Sequence, residues 1–386
     1  MVSCAGVIPV TVVPVLYPAI VVDLPSFTLR WLGLSTTLCF LLLSFGAPLV
    51  GRFVDRIGPR GGMTVAALGT LATLGMIATT TSLAVLVTVI AVSGVFHSFA
   101  ATSSNLVMGA VLDGRRPATL FGVRQTAVPL MSMLAGSVVA VASGWLGWRA
   151  ILLLFAVVPV ALLLFRPERA ARVERVHPRD LAPLPRRELI VFAMISLFSG
   201  MAVSVLATFG VATLTEAGWS PANSGGIFAV ASALGLATRI VAGIVVDRRR
   251  WSVFTFAGSL LVGGAIGAGL ISSGASTWIA VGVLLAYGAG WGFPGLLQYG
   301  IAVSFRARIA SATGLVQLGS GLGVSLGPLL FSSLEGVVGM GPAWAVVGVS
   351  SGLAATIALW RAYRGDAEGD PQGHVNRTRR HDGSVS

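Results

Sequence analysis

The chain has 386 residues, of which 55% are hydrophobic and 10% charged, and its mean hydropathy is +0.88. Water-soluble domains do not have this composition, which implies an integral membrane protein. The net charge of +12 raises nucleic acid as a partner, but the placement of the arginines excludes it. Cys4 and Cys39 both lie in apolar runs, so no disulfide framework, metal site or cofactor is expected.

Apolar runs long enough to cross about 30 Å of hydrocarbon lie near 4–22, 32–54, 63–80, 83–109, 118–144, 148–165, 189–214, 222–246, 253–273, 277–303, 309–334 and 341–361, twelve in all. Helices are the expected form, because backbone facing lipid must satisfy its own hydrogen bonds. The first run lacks a basic lead-in and a cleavage site, so it reads as a span and not as a signal peptide. Its shortness implies either a truncated helix or a misassigned start codon. Glycine, present 49 times, and alanine favour close helix contacts. Pro9, Pro14 and Pro18 in span 1, Pro129 in span 5, Pro294 in span 10 and Pro328 in span 11 are expected to kink their helices.

All 26 basic residues are arginine, and 22 of them fall in alternate loops and the tail. Only Arg30 and Arg149 lie in the opposite set of loops. By the positive-inside rule both chain ends are then cytoplasmic. Segment 166–188 carries seven arginines and four prolines and reads as a cytoplasmic linker between halves. The tail from 363 reads as disordered. Trp31, Trp145, Trp148, Trp219 and Trp278 cluster at the expected outer ends of spans, as an interfacial belt does, whereas Trp291 sits mid-span.

Between spans 2 and 3 stands Gly51-Arg-Phe-Val-Asp55-Arg56-Ile-Gly58-Pro-Arg60, a dense knot of charge and glycine. Asp55 closes a helix whose dipole is negative there, so it calls for a positive partner such as Arg56, Arg60 or the N-terminus of another helix. Gly51 and Gly58 would let that neighbour come close. A shift of 192 residues carries Gly51 and Asp55 onto Gly243 and Asp247, which Arg248 follows, and carries Gly122-x-x-Gln125 onto Gly314-x-x-Gln317. Landmarks sharing one offset are what a duplicated half-chain leaves.

The Gly-x-x-x-Asp-Arg-x-Gly-x-Arg pattern resembles the signature loop between helices 2 and 3 of the major facilitator superfamily. The resemblance implies an all-α fold of twelve transmembrane helices in two pseudo-symmetric six-helix bundles, here 1–165 and 189–362, joined by the linker 166–188 and followed by the tail 363–386. It also implies that Asp55 stabilises the outward-open state and that Asp247 plays the same part in the mirrored pair. The expected contacts are Asp55 with the N-terminus of span 11, near Arg308 to Ala312, and Asp247 with that of span 5, near Pro117 to Phe121.

Strongly polar side chains inside the membrane are costly and mark the pathway. They are His97 and Asn105 in span 4, Arg124 and Gln125 in span 5, Arg239 in span 8, Gln298 in span 10 and Gln317 in span 11. Spans 3, 6, 9 and 12 carry none well inside their bounds, and in the superfamily those four are the outer helices. Arg124 either snorkels to the inner surface or grips an anionic group in the cavity. Arg239 lies in the array Arg-x-x-x-Gly-x-x-x-Asp and is similar to the helix 8 arginine of monocarboxylate-type members, although Gly235 replaces the acid found there one turn earlier. His97 either carries a coupling proton or bonds to a neighbouring helix. Trp291, with Tyr287, Tyr299 and Tyr17, forms either an aromatic wall for an organic solute or ordinary helix packing. No Asp or Glu lies deep in a span, which favours an anionic or neutral substrate over a cationic one.

These features predict a monomeric secondary transporter of the cytoplasmic membrane, moving a small organic anion or neutral solute with a coupling proton by alternating access. Its partners are the bilayer and the solute. A proton-coupled efflux antiporter is the alternative, and a non-transporting sensor lacks an output domain. The residues show no catalytic constellation of an enzyme.

Overall fold

A computed structural model of the chain describes residues 2–109, 117–164, 185–249, 252–305 and 309–367. Among these the secondary structure is helical without strands. In chain order the helices are α1 (Val2–Asp23), α2 (Leu29–Thr79), α3 (Leu83–Gly109), α4 (Pro117–Arg124), α5 (Ala127–Ala142), α6 (Trp148–Leu154), α7 (Val157–Leu164), α8 (Arg186–Glu216), α9 (Pro221–Arg249), α10 (Val253–Ser272), α11 (Ser276–Gly288), α12 (Pro294–Ser304), α13 (Ile309–Val338) and α14 (Met340–Ala367).

Eight of the described helices are long and apolar enough to cross a membrane. The 51-residue α2 holds two crossings, because Gly58 breaks it with φ 76° and ψ 166°. A left-handed φ favours glycine, and Pro59 then starts the second segment with its φ already set. Counting α2 twice and each of the pairs α4/α5, α6/α7 and α11/α12 once gives the twelve expected crossings.

Those three pairs go beyond expectation, which had a kink at Pro129 and at Pro294 and none in span 6, since the helix is interrupted in each place. The cause is one rule applied three times. Proline has no N–H to bond the carbonyl four residues earlier, and its ring crowds that carbonyl. Pro129, Pro159 and Pro294 stand four residues after Gln125, Phe155 and Gly290, and the interruptions fall at those points. The chain tightens there to three-residue turns, as in Thr126 N–H to the Val123 carbonyl at 3.1 Å and Ala156 N–H to Leu153 at 3.0 Å. By contrast, α1 and α13 absorb Pro9, Pro14, Pro18 and Pro328 without a break.

Helix α1 is largely buried and packs against α2, α3, α5 and α8. The most extensive contacts between the halves form two seams, α5 with α9 and α2 with α13. Call the end bearing Asp55 and Asp247 the basic end, and the opposite one the far end. At the far end both seams are shut. Thr37 Oγ donates to the Ser325 carbonyl at 2.8 Å, and a Cβ at Gly33 would collide with Ser332. A Cβ at Gly136 would lie 2.5 Å from the Gly225 carbonyl.

Two boundaries also depart from expectation. Helix α8 begins at Arg186, inside the expected linker, and α14 runs to Ala367, past the expected start of the tail. Glu188 accepts from Arg361 at 2.6 Å, which ties these two extensions together. The rest of the linker and the tail lie outside the described residues. Trp145 is 72% exposed but Trp148 is buried, because its Nε1 donates to Asp23 at 2.9 Å.

Candidate functional site

Arg239, Gly243 and Asp247 recur every four residues on α9 and so share one face. That face lies on the half-helix α4. Asp247 accepts hydrogen bonds from Ala118 N–H at 3.2 Å, Thr119 N–H at 2.9 Å and Thr119 Oγ at 2.6 Å. The first N–H groups of a helix have no intrahelical acceptor, and its dipole favours a carboxylate there. Pro117 marks that first turn. Between the ends, a Cβ at Gly243 would lie 2.7 Å from Thr119 Cα and one at Gly122 would lie 2.6 Å from the Arg239 carbonyl. Only glycine allows this spacing.

At the other end of α4, Arg239 is 3% exposed. Its Nε donates to the Trp291 carbonyl at 2.9 Å and its Nη1 to the Gln125 carbonyl. Both acceptors belong to interrupted spans. Gln125 is the residue whose carbonyl Pro129 leaves without an amide, and Trp291 lies in the gap between α11 and α12. The guanidinium also sits over the Trp291 ring, 5.1 Å from its centroid. Trp291 meets Tyr287 edge-on at 4.5 Å, and Tyr287 meets Phe228 at 5.0 Å. Tyr287 is fully buried. Among those residues no carboxylate pairs with Arg239.

The profile described as Major Facilitator Superfamily matches residues 3–328. The chain belongs to the major facilitator superfamily. It is therefore a multi-pass membrane protein of a family whose members are transporters and not enzymes. No curated protein matches it. Among solved structures it is similar to the human organic anion transporter MFSD10 (TETRAN), at 15% identity and a TM-score of 0.68, covering 92% of this chain and 97% of that one. This similarity establishes the superfamily's all-α, two-bundle fold.

Within that superfamily fold the remaining expected residues are scattered. His97 lies on α3 against α1, where a Cβ at Gly6 would be 3.4 Å from its ring, and its Nδ1 is buried without a partner among the described residues. Tyr17 packs on Phe27 at 6.0 Å near the far end of α1 and shares one large apolar cluster with Trp291 and Tyr287. Tyr299 is on α12, packed beside a separate apolar cluster. Gln298, also on α12, is half-buried, and Gln317 is exposed on α13. The side chains of Arg124 and Asn105 lie outside the described residues.

Asp55, Arg56, Arg60 and Arg248 are exposed. The partner expected for Asp55 involves Arg308, which is outside the described residues, as are the side chains of 309–311. Among the described residues no atom lies within 4 Å of a Cβ built at Gly51 or Gly58. Gly58 is set by its positive φ.

Sequence reasoning missed the Thr119 hydroxyl and both carbonyl partners of Arg239. A signal existed for one carbonyl, since Pro129 points four residues back to Gln125. The Trp291 carbonyl had only the neighbouring Pro294 to hint at a gap.

Proposed function

We propose that the chain is a proton-coupled secondary transporter of a small organic anion, working by rocker-switch alternating access between bundles 1–165 and 189–362. The observation that carries this reading is the Arg239 guanidinium. It is buried at the junction of the two halves and held by carbonyls and an indole face, with no carboxylate partner among the described residues. A buried cation without a counter-charge is costly, and an anionic solute supplies that charge. The fold likeness to an organic anion transporter agrees with this. Trp291 and Tyr287 offer flat apolar surface for an organic body. Gln125, Arg124, Asn105, Gln298 and Gln317 are further solute contacts in this proposal, and His97 is the proton carrier. Membership of the superfamily favours rocking of the bundles over a midplane site. The 22 arginines of alternate loops and tail support cytoplasmic ends in the cytoplasmic membrane.

Uptake of radiolabelled benzoate, benzamide and tetraphenylphosphonium into proteoliposomes, with and without a pH gradient, tests the reading. Benzoate should accumulate with the gradient, and Arg239→Gln should lower its uptake at least tenfold, the loss of roughly 1.4 kcal/mol. Movement of the neutral or cationic probe but not of benzoate would overturn it.

A further inference from the structure

We infer that Arg239 is a hand-over switch, in which the guanidinium passes between the Gln125 carbonyl and the carboxylate of the solute and thereby unclasps half-helix α4 when solute binds. This rests on the anionic reading above and adds how binding reaches the gate.

Three observations converge on α4. First, α9 holds it at both ends, with Asp247 on the amides of its N-terminal turn and Arg239 on the carbonyl just past its C-terminus. Each charge faces the end of the α4 dipole that attracts it. Second, the Gln125 carbonyl is available to Arg239 only because Pro129 denies it the usual helical partner. Span 5 thus carries a built-in acceptor at the interruption between α4 and α5. Third, the Trp291 ring lies under the same guanidinium, with the buried Tyr287 ring packed edge-on against it. A neutral carbonyl is a weaker acceptor for a guanidinium than a carboxylate, which takes two parallel N–H bonds from the planar fork. An arriving carboxylate therefore outcompetes Gln125 and leaves that carbonyl without its donor. The C-terminal end of α4 then loses its hold on α9, while the Trp291 carbonyl on the same half as Arg239 keeps Nε in place.

The prediction is specific to one short stretch of backbone, so hydrogen exchange read by mass spectrometry on the full chain in nanodiscs is suited to it. Arg239→Gln should raise exchange of the amides at 121–126 about tenfold and leave those of α13 unchanged. Benzoate should do the same to the wild type and nothing further to Arg239→Gln. A second variant approaches from the other side. Pro129→Ala restores an amide to the Gln125 carbonyl, so benzoate should bind several-fold more tightly and no longer loosen α4. Unchanged α4 exchange in Arg239→Gln, or equal loosening of every helix, overturns the switch. If benzoate is carried but leaves α4 exchange untouched, the switch fails and the transport reading stands. If benzoate neither binds nor moves, the anionic reading fails and takes the switch with it.

Discussion

The two seams between the halves carry landmarks at one common offset, yet their described residues differ toward the basic end. At the α4–α9 seam, Arg239, Gly243 and Asp247 all rest on the backbone of the opposite half. At the α2–α13 seam, the 192-residue shift places Ala47, Gly51 and Asp55 in those positions. No described atom lies within 4 Å of a Cβ at Gly51 or at Gly314, the counterpart of Gly122 by the same shift, and Gln317 is exposed. The lesson is that a repeated motif conserves where a contact is possible, while one extra residue decides how firmly it holds. Arginine at 239 and alanine at 47 make one seam a clasp on two carbonyls and leave the other without that pin.

The largest effect should come from testing closeness itself. Gly243→Val and Gly122→Val force side-chain atoms into backbone that already lies within 2.6–2.7 Å of a Cβ position. Overpacking of this kind costs about 1–3 kcal/mol. Thermal unfolding of purified protein should show both variants clearly destabilised, and Gly51→Val and Gly314→Val nearly unchanged. Equal losses at all four positions would erase the contrast between the seams.

The twelve crossings were legible because hydropathy depends only on composition over about twenty residues. The partner of Asp247 was legible for a different reason, since any helix start offers free amides to an anion. The interruptions were legible only in part. Pro129 and Pro294 announced bends, but how far a helix opens depends on whether some other group satisfies the freed carbonyl. At Gln125 that group is Arg239, 114 residues away, and nothing local encodes it. For the same reason the residue type of Arg239 gave no sign of its ties to the Gln125 and Trp291 carbonyls. Trp148 lies at the outer end of its span, but its burial was not legible, because the rule for interfacial tryptophans does not know that Asp23 ends the neighbouring helix.

An intermediate effect separates charge from simple hydrogen bonding at the clasp. Asp247→Asn removes the negative charge that serves two amides and a hydroxyl, and hydrogen bonds to charged groups are worth roughly 1.5–3 kcal/mol. Thr119→Ala removes only the hydroxyl, for about 1 kcal/mol. The asparagine variant should therefore unfold at the lower temperature, and its deficit should reach the amides of 118 and 119 in hydrogen exchange. A larger loss from Thr119→Ala would mean that the seam depends on that side chain more than on charge meeting the helix terminus.

The smallest effect lies at the far end, inside one half, and serves as the control for both seams. Asp23 accepts from Trp148 Nε1 at 2.9 Å and from Arg149 Nη1 at 2.5 Å. These hydrogen bonds, first from Trp148 and then from Arg149, hold its carboxyl below the usual carboxylate range. A carboxylate with a depressed folded value stabilises the fold above its unfolded value, about 3.9. That contribution disappears as pH falls through the lower folded value. Unfolding temperature should therefore drop below about pH 4 more steeply in the wild type than in Asp23→Asn. The pair is exposed, so raised salt should shrink the difference. Exchange at α4 should not respond to Asp23→Asn, because this contact lies within a single bundle and bridges neither seam. A response there would show that the far-end staple and the α9 clasp move together, and the two seams would no longer be separable from the bundles they join.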